Sequence, residues 1–145
     1  MSIYHCSIKN ISRSSGRSAV ACAAYRSGEE LEDVETGITH DYRKKTGIAF
    51  AEIFLCKNAP ERFQNREELW NEVEKIEKAA DARLAREIEV AIPRELSLEE
   101  MKNLVAGYAK MLTEEGMCVD AAIHLKVGNP HAHLMCCLLY TSDAA

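Results

Sequence analysis

Three histidines near the carboxyl end of the chain are the residues whose type and spacing are best suited to chemistry. His131 and His133 are separated by one residue, so on a strand their side chains point to the same face. Residues 118–126 before them also have a strand-like pattern, and residues 127–130 have the composition of a hairpin turn. Two imidazoles side by side on a strand are the beginning of a metal site.

The turn decides which residues face one another across this hairpin. A turn symmetric about residues 128 and 129 predicts three opposed pairs: His124 with His133, Leu125 with Ala132, and Lys126 with His131. Directly opposed Cβ atoms lie about 4.5–5.5 Å apart, close enough for three imidazoles to share one cation. The register therefore predicts a metal site made by His124, His131 and His133.

A second group able to do chemistry is the phenol of Tyr25. Ser18 can cap a short helix over residues 19–26, and Ser27-Gly28 ends it. Most residues of this helix are small, so the helix can pack closely on a sheet and Tyr25 is its one large functional group. Tyr25 is therefore either a core aromatic at a helix end or a reactive hydroxyl.

Two carboxylates share one face of a further predicted strand, residues 86–92. Its alternation buries three aliphatic side chains and puts Glu87 and Glu89 together on the opposite face. Either these carboxylates are solvated, or they form hydrogen bonds to histidine ligands or interact with a bound cation.

The elements that must position these groups alternate between strands and single helices. Strands are predicted at residues 2–9, 48–55 and 86–92 and in the final hairpin, with another hairpin around Thr36-Gly37. Helices are predicted at residues 19–26, at 65–80 with Asn65 and Glu68 as a capping box, and from Ser97 with Glu100 to about residue 115. This order predicts an α+β fold, an antiparallel or mixed sheet with helices packed on it.

Bulk composition narrows the class of protein. A chain of 145 residues suits one domain, and its hydrophobic share of 47% and mean hydropathy of -0.24 are typical of a soluble globular protein. No apolar run approaches the roughly 20 residues that span a bilayer, and the first residues do not form a signal peptide. We therefore expect a cytoplasmic protein without a membrane partner. The six cysteines lack C-x-x-C spacing, which favours reduced core residues.

The charge is unevenly distributed along the chain. The formal net charge is -5, yet residues 1–28 contain four basic side chains and no acidic one: Lys9, Arg13, Arg17 and Arg26. Residues 10–17 read as a flexible polar loop. A second basic cluster consists of Arg43, Lys44 and Lys45. Local patches decide phosphate affinity, so a nucleic-acid partner stays possible beside an ordinary solvated surface.

These motifs together resemble the relaxase domain of the MobA/MobL family, the nicking enzymes of mobilisable plasmids and members of the HUH endonucleases. The resemblance is carried, in the family's order, by Ile3-Tyr4-His5, residues 12–19, Ala23-Ala24-Tyr25, residues 86–93, Ile123-His124 and residues 129–135. It predicts a relaxase domain over residues 1–135. Residues 136–145 match no pattern of the family, and we expect them to mark a truncated end.

The resemblance implies a fold like a palm-shaped antiparallel sheet backed by helices, and a reaction. Tyr25 would attack a phosphodiester of single-stranded DNA at a plasmid transfer origin and leave a reversible 5′-phosphotyrosyl link. The three histidines would hold a divalent ion, Mg²⁺ or Mn²⁺. Glu87 and Glu89 would lie near the ion, with their roles as histidine support and proton acceptor unassigned.

The resemblance also implies partners. Transfer-origin DNA would contact the basic side chains Arg13, Arg17, Arg26, Arg43, Lys44, Lys45 and Lys126, with bases stacking on aromatics such as Tyr42. Accessory proteins of the relaxosome would bind as well.

Three alternatives remain open from the sequence. A rolling-circle replication initiator or transposase shares the His-x-His motif, but its tyrosine follows the histidines, where the sequence contains Tyr140. An inactive DNA-binding module would fit the negative net charge. A metal-storage or cupin-like protein would use the histidines and leave Tyr25 without a role.

Overall fold

A computed structural model of the chain describes residues 5–126 and 129–138, and of Lys126 the backbone alone. The strands in this part are β1 (Cys6–Ser12), β2 (Glu30–Asp33), β3 (Ile38–Asp41), β4 (Ile48–Phe54), β5 (Arg83–Ala91), β6 (Cys118–Lys126) and β7 (Asn129–Cys137). The helices are α1 (Ala19–Ser27), α2 (Arg66–Ile76) and α3 (Leu98–Glu114), with 3₁₀ turns at Arg13–Ser15 and Glu61–Gln64.

Five of the strands form one sheet in the order β1-β5-β7-β6-β4, and β2 pairs with β3 as a separate hairpin. All neighbouring strands are antiparallel. The predicted α+β class is confirmed, with the antiparallel form of the sheet. β7 is the central strand, so the histidines it carries have β5 on one side and β6 on the other.

Local sequence signals explain where the three helices begin. The Ser18 hydroxyl accepts a hydrogen bond from the Ala21 amide, and Ser97 with Glu100 forms a complete capping box, as predicted. The Asn65 side chain also caps its helix. α2 ends at Ile76, four residues before the predicted end, and Ile76 is exposed.

The sheet has a separate apolar core on each face. One face packs on α1 and α2, whose largest fully buried side chains are Val20, Leu69 and Trp70. The other face packs on α3 through Met101 and Val105. Burial of each large apolar side chain contributes about 1.5–3 kcal/mol, so both helical layers are firmly attached. The structure thus has three layers around one central sheet.

A buried polar network crosses the first of these cores. Asp120 of β6 accepts hydrogen bonds from Nε and Nη2 of Arg66, at 2.8 and 2.9 Å, and from the Trp70 indole at 2.8 Å. The third guanidinium nitrogen, Nη1, donates to Glu29 at 2.6 Å. Because buried charge is costly unless paired, this network ties the first turn of α2 to the sheet.

The register of the final hairpin differs from the predicted one by two residues. The observed pairs are His124 with His131, Leu125 with Pro130, and Lys126 with Asn129. β7 already begins at Asn129, so the connection contains the two residues 127 and 128, which lie outside the described part of the chain. Since strand side chains repeat every two residues, the shift leaves all three histidines on one face.

The N-terminal stretch is more regular than predicted. β1 extends to Ser12, and Arg13–Ser15 form a 3₁₀ turn, so the prediction of a flexible loop over residues 10–17 was wrong. The cause is pairing with β5, which continues to Ser12. At the other end, β7 continues to Cys137, and Cys136 and Cys137 are buried. Residues 1–4 and 139–145 lie outside the described chain.

The cysteines and the helices bear on two further predictions. All six cysteines are free thiols, and four of them are buried, as expected for reduced core residues. None of the helices in the described part is both long and apolar enough to span a bilayer.

Candidate metal and nucleophile site

The predicted histidines and carboxylates lie on three neighbouring strands and share the sheet face that packs on α1 and α2. His124 of β6 lies opposite His131 of β7, and Glu89 of β5 lies opposite His133. The ring centroids of His124 and His133 are 4.5 Å apart. The fold therefore collects these residues at one place, even though the predicted pairing of His124 with His133 was wrong.

Two of the imidazoles are oriented by backbone carbonyls. His124 Nε2 donates to the Arg26 carbonyl at 2.8 Å, and His131 Nδ1 donates to the Asn129 carbonyl at 2.8 Å. A carbonyl oxygen only accepts, so each of these nitrogens carries the proton. A neutral ring then presents its lone pair at the other nitrogen, Nδ1 of His124 and Nε2 of His131. Ligating histidines are commonly oriented in this way.

The third imidazole, His133, is held neutral. Burial is the main cause that lowers the pKa of His133 from its ordinary 6.5 to about 3, and electrostatic interactions with His124, Arg26, His131 and Lys45 lower it further. His133 Nδ1 is buried and has no hydrogen-bond partner among the residues that the structure describes. A neutral imidazole with an unused buried nitrogen is the form that binds a cation.

The present side-chain arrangement is not a closed cation cage. Across residues 5–126 and 129–138, no three His, Cys, Asp or Glu side chains are grouped tightly enough to hold a metal ion. The donor chemistry of the three imidazoles fits a divalent ion, whereas their positions require adjustment of the rings.

The lowered pKa of His133 predicts a pH-dependent stability. As pH falls from 6.5 toward about 3, the unfolded chain takes up a proton at His133 that the folded chain does not. The free energy of unfolding should therefore fall by up to about 1.4 kcal/mol per pH unit in this window. Urea unfolding in EDTA buffer, compared with His133→Gln, isolates the effect. The difference in unfolding free energy between the two proteins should be constant above pH 7. Below pH 7 wild type should lose stability relative to His133→Gln, and a pH-independent difference would contradict the lowered pKa of His133.

Tyr25 lies in the last turn of α1, one residue before the carbonyl of Arg26 that bonds His124. Its side chain is 45% exposed, so the reading as a core aromatic is wrong. Lys45 Nζ donates to the Tyr25 carbonyl at 2.9 Å and lies 3.3 Å from the centre of the Tyr25 ring. Tyr42 contacts the same ring edge-on, with centroids 5.2 Å apart. The phenol is therefore both accessible and held by its neighbours.

Gly28 determines where this helix stops. It adopts the left-handed conformation with φ of 72°, and a Cβ at this position would lie 2.6 Å from Cδ1 of Ile48. A residue with a side chain would be strained here. α1 thus ends two residues after Tyr25, against the start of β4.

Arg26 and Glu87 form a buried ion pair beside the histidines. Glu87 is only 4% exposed, so the alternative of a solvated carboxylate was wrong for this residue. The Arg26 guanidinium also lies 5.8 Å from the centre of the Tyr25 ring. Arg26 therefore packs within the site, and the Glu87 carboxylate largely compensates its positive charge.

Two more of the predicted DNA-contacting arginines are engaged within the protein. Arg13 donates to the carbonyls of Ala79 and Glu74 at 2.8 and 3.1 Å, which ties the 3₁₀ turn to the last turn of α2 and to the segment after it. Arg43 is exposed but pairs with Asp41 and Glu30 at 2.8 and 2.9 Å.

The remaining predicted contacts differ in exposure. Arg17 is half-buried, with Nη2 at 3.5 Å from the Cys22 sulfur. Lys44 is exposed, and Lys45 is half-buried against Tyr25. The side chain of Lys126 lies outside the described part of the chain.

An open groove of about 550 Å³ lies between α1 and the β2–β3 hairpin. Its lining includes Arg17, Tyr25, His40 and Tyr42. The groove combines a cationic side chain with aromatic rings, which is the composition of protein surfaces that bind single-stranded nucleic acid.

Sequence reasoning missed the contacts that hold α1 against the histidines. The Arg26 carbonyl that orients His124 is 98 residues away in sequence, and Lys45 looked like one member of a surface cluster. The available signal was the helix end itself, because the last carbonyls of a helix need donors from elsewhere.

Comparison with known proteins gives consistent matches. The model of the MobA/MobL family matches residues 17–141. Mobilization protein MobL of Acidithiobacillus ferridurans is 46% identical over 125 residues, covering 86% of this chain and 32% of that protein. Conjugal transfer protein TraA of Rhizobium radiobacter is 39% identical over 154 aligned positions, covering 99% of this chain and 14% of that protein.

A solved structure is similar over nearly the whole chain. It was reported as "Molecular Basis of Vancomycin Resistance Transfer in Staphylococcus aureus", and it superposes with a TM-score of 0.90 at 37% identity, covering 94% of this chain and 70% of that one. The chain spans less than a third of the length of the two curated relatives above.

Proposed function

The chain belongs to the MobA/MobL family, and from this membership and the geometry of the site we propose that it is the DNA-nicking domain of a plasmid-mobilisation relaxase. The observation that carries the proposal is the hydrogen bond from His124 to the carbonyl of Arg26, the residue after Tyr25. It joins the histidine face to the residue that directly follows Tyr25 in α1.

In the proposed reaction the Tyr25 oxygen attacks a phosphorus of single-stranded DNA. The new bond joins tyrosine to phosphorus, and the bond from phosphorus to the 3′ oxygen breaks. The 3′ oxygen gains a proton and leaves as a hydroxyl, while the DNA stays attached through its 5′ phosphate. Because the phosphodiester is conserved as a phosphotyrosine, attack by a 3′ hydroxyl reverses the step without another energy source.

The residues around the phenol have separate roles in this proposal. A phenol is mostly protonated at neutral pH, so the attack needs a proton acceptor. Glu87 already pairs with Arg26, so its carboxylate is engaged within the protein. We therefore assign the acceptor to Glu89, which lies opposite His133 across the β5–β7 pair.

The three histidines would hold a divalent ion, Mg²⁺ or Mn²⁺, with His124 binding through Nδ1 and His131 through Nε2. When bound, such an ion neutralises charge that develops on the phosphate oxygens. Neutral nitrogen ligands alone are unusual for Mg²⁺, which prefers oxygen. Mn²⁺ is therefore the better probe for this site.

The test is a search for the covalent adduct. The purified chain is incubated with a fluorescent pool of single-stranded oligonucleotides with a randomised centre, in Mn²⁺ or in EDTA. We expect an adduct that survives denaturation, requires Mn²⁺, is lost after protease treatment and is enriched in one sequence. A chain that binds DNA but forms no adduct would overturn the nicking proposal and leave the inactive DNA-binding module.

The partners follow from the same proposal. Single-stranded transfer-origin DNA would enter by the groove beside α1, and accessory proteins would deliver it in single-stranded form. The initiator or transposase alternative depends on Tyr140, which lies outside the described residues; sequencing the peptide attached to DNA would distinguish it from Tyr25.

A further inference from the structure

We propose that Lys45 is the positioning residue of the nucleophile: it fixes the Tyr25 ring against the histidine face before DNA binds. This inference rests on the proposed function for the role of Tyr25, and it replaces the reading of Lys45 as a contact to the DNA backbone. Its basis is the pair of contacts to one residue, a hydrogen bond to the Tyr25 carbonyl at 2.9 Å and an ammonium 3.3 Å from the centre of the ring.

The hydrogen bond acts at the end of a helix. The last regular helical hydrogen bond of α1 runs from the Gly28 amide to the Ala24 carbonyl, and side chains donate to the next two carbonyls. The Ala24 carbonyl accepts from the amides of Gly28 and Glu29, the Tyr25 carbonyl from Lys45, and the Arg26 carbonyl from His124. A lysine is favourable at this position because the helix dipole places negative potential there.

The ring contact acts on the side chain. An ammonium over an aromatic face is attracted by the negative potential of the ring, more strongly where water is partly excluded. Lys45 is half-buried. It therefore holds both the backbone and the ring of Tyr25, and Tyr42 packs edge-on against the same ring.

The loop that carries Lys45 is itself fixed to the histidine strand. The Gly47 carbonyl accepts a hydrogen bond from the Leu125 amide at 2.7 Å, directly after His124 in β6. Gly47 has φ of 86°, and a Cβ there would lie 3.2 Å from the Leu125 carbonyl. Residues 42–47 thus form a short bridge from β6 to α1, and Lys45 is the point where the bridge meets the tyrosine.

This placement predicts an effect on the rate and not on affinity. Reacting groups must be held close to their attack geometry, and a displacement of about 1 Å can cost roughly 100-fold in rate. A contact to a phosphate would instead contribute to DNA binding and its salt dependence. The two roles can therefore be separated by measuring rate and affinity on the same variant.

The experiment compares Lys45→Met and Lys45→Arg with Lys44→Met, which removes the same charge from the exposed neighbouring position. The single-turnover rate of adduct formation is measured with saturating oligonucleotide, and the dissociation constant is measured in a Tyr25→Phe background. We expect Lys45→Met to lower the saturated rate by about 10- to 100-fold with an unchanged dissociation constant. Lys45→Arg should restore most of the rate. Lys44→Met removes a predicted DNA contact, so it should raise the dissociation constant without lowering the saturated rate.

A second measurement does not depend on catalysis. With 3-fluorotyrosine in place of the five tyrosines, the fluorine resonance of residue 25 is identified by its loss in Tyr25→Phe. It should shift in Lys45→Met and not in Lys44→Met, while resonances far from the site stay in place.

The outcomes separate the two proposals. Wild type without an adduct refutes the nicking function, and the fluorine resonance still reports whether Lys45 holds the ring. An unshifted resonance, or a weaker dissociation constant with a wild-type saturated rate, overturns the role of Lys45. Equal losses in Lys45→Met and Lys44→Met would also overturn it, because they would indicate a general effect of charge.

Discussion

Replacing Tyr25 with Phe is expected to abolish the covalent adduct with DNA and leave the fold intact. The substitution removes only the oxygen that attacks phosphorus, so the rate of adduct formation should fall by at least about 1,000-fold. The contacts that hold the residue use its carbonyl and its ring, and phenylalanine keeps both. The measurement is the denaturing-gel adduct assay, with circular dichroism and thermal unfolding to show that the variant is folded.

The matched control is Tyr42→Phe, at the other tyrosine that lines the groove. It loses a phenol oxygen next to the same helix and should retain adduct formation. An adduct that persists in Tyr25→Phe would refute the assignment of the nucleophile, and its loss on adding Tyr42→Phe would transfer the role to Tyr42.

Replacing Asp120 with Asn is expected to produce the largest loss of stability from a single conservative change. Asp120 accepts three hydrogen bonds inside the core, two from Arg66 and one from Trp70. Asparagine keeps the volume but loses the charge, and its amide group turns a donor toward one of these donors. Breaking a buried ion pair by removing one partner costs about 3–5 kcal/mol, a large part of the 5–15 kcal/mol typical of a domain. Urea unfolding measured by Trp70 fluorescence gives the value directly.

The control for this prediction is Asp41→Asn. Asp41 also receives two hydrogen bonds from an arginine, at 3.0 and 2.8 Å from Nε and Nη2 of Arg43, but the pair is on the surface. Water and salt screen such a pair. The unfolding midpoint of Asp41→Asn should stay close to that of wild type, and a similar small shift in Asp120→Asn would show that the buried network is not important for stability.

Local signals in the sequence were sufficient to predict most elements of the fold. Ser18, Asn65 and Ser97 are the caps of the three helices because capping depends on residues within one turn. The alternation of residues 86–92 predicted which side of β5 is apolar. In each case the interaction that decides the structure is local, so no knowledge of the tertiary fold was needed.

The register of the final hairpin was harder to predict from the sequence than the positions of its strands. Moving the centre of a turn by one residue moves the pairing by two, and the composition of residues 127–130 does not distinguish the two centres. Each side chain was still assigned to the correct face of its strand, because side chains on a strand also alternate with a period of two. The sequence therefore predicted that the histidines share a face, but it did not predict that His124 lies opposite His131.

Contacts between distant segments were the part that sequence reasoning did not reach. Asp120 interrupts an apolar strand, a sign that a charged partner is buried with it, yet nothing local identified Arg66, 54 residues earlier. The same limit applies to Arg13 and Arg26: their role as DNA contacts stays a prediction, and the sequence did not indicate that they pair with Glu74 and Glu87. A count of basic residues cannot distinguish charges offered to a ligand from charges already neutralised by the fold.

The C-terminal turn of α1 has a consequence for communication within the site. Its Arg26 carbonyl accepts a hydrogen bond from His124. The order of this helix end is therefore coupled to the orientation of the His124 imidazole. By thermodynamic linkage, any event that favours one orientation of His124 changes the order of the turn that carries Tyr25, and ordering of that turn acts back on His124 by the same factor. The amide protons of Gly28 and Glu29, both bonded to the Ala24 carbonyl, are natural reporters of this coupling in hydrogen exchange. The hydrogen-exchange rates of these α1 amides should thus report whether an ion is bound at the three histidines, although α1 itself contributes none of the proposed ligands.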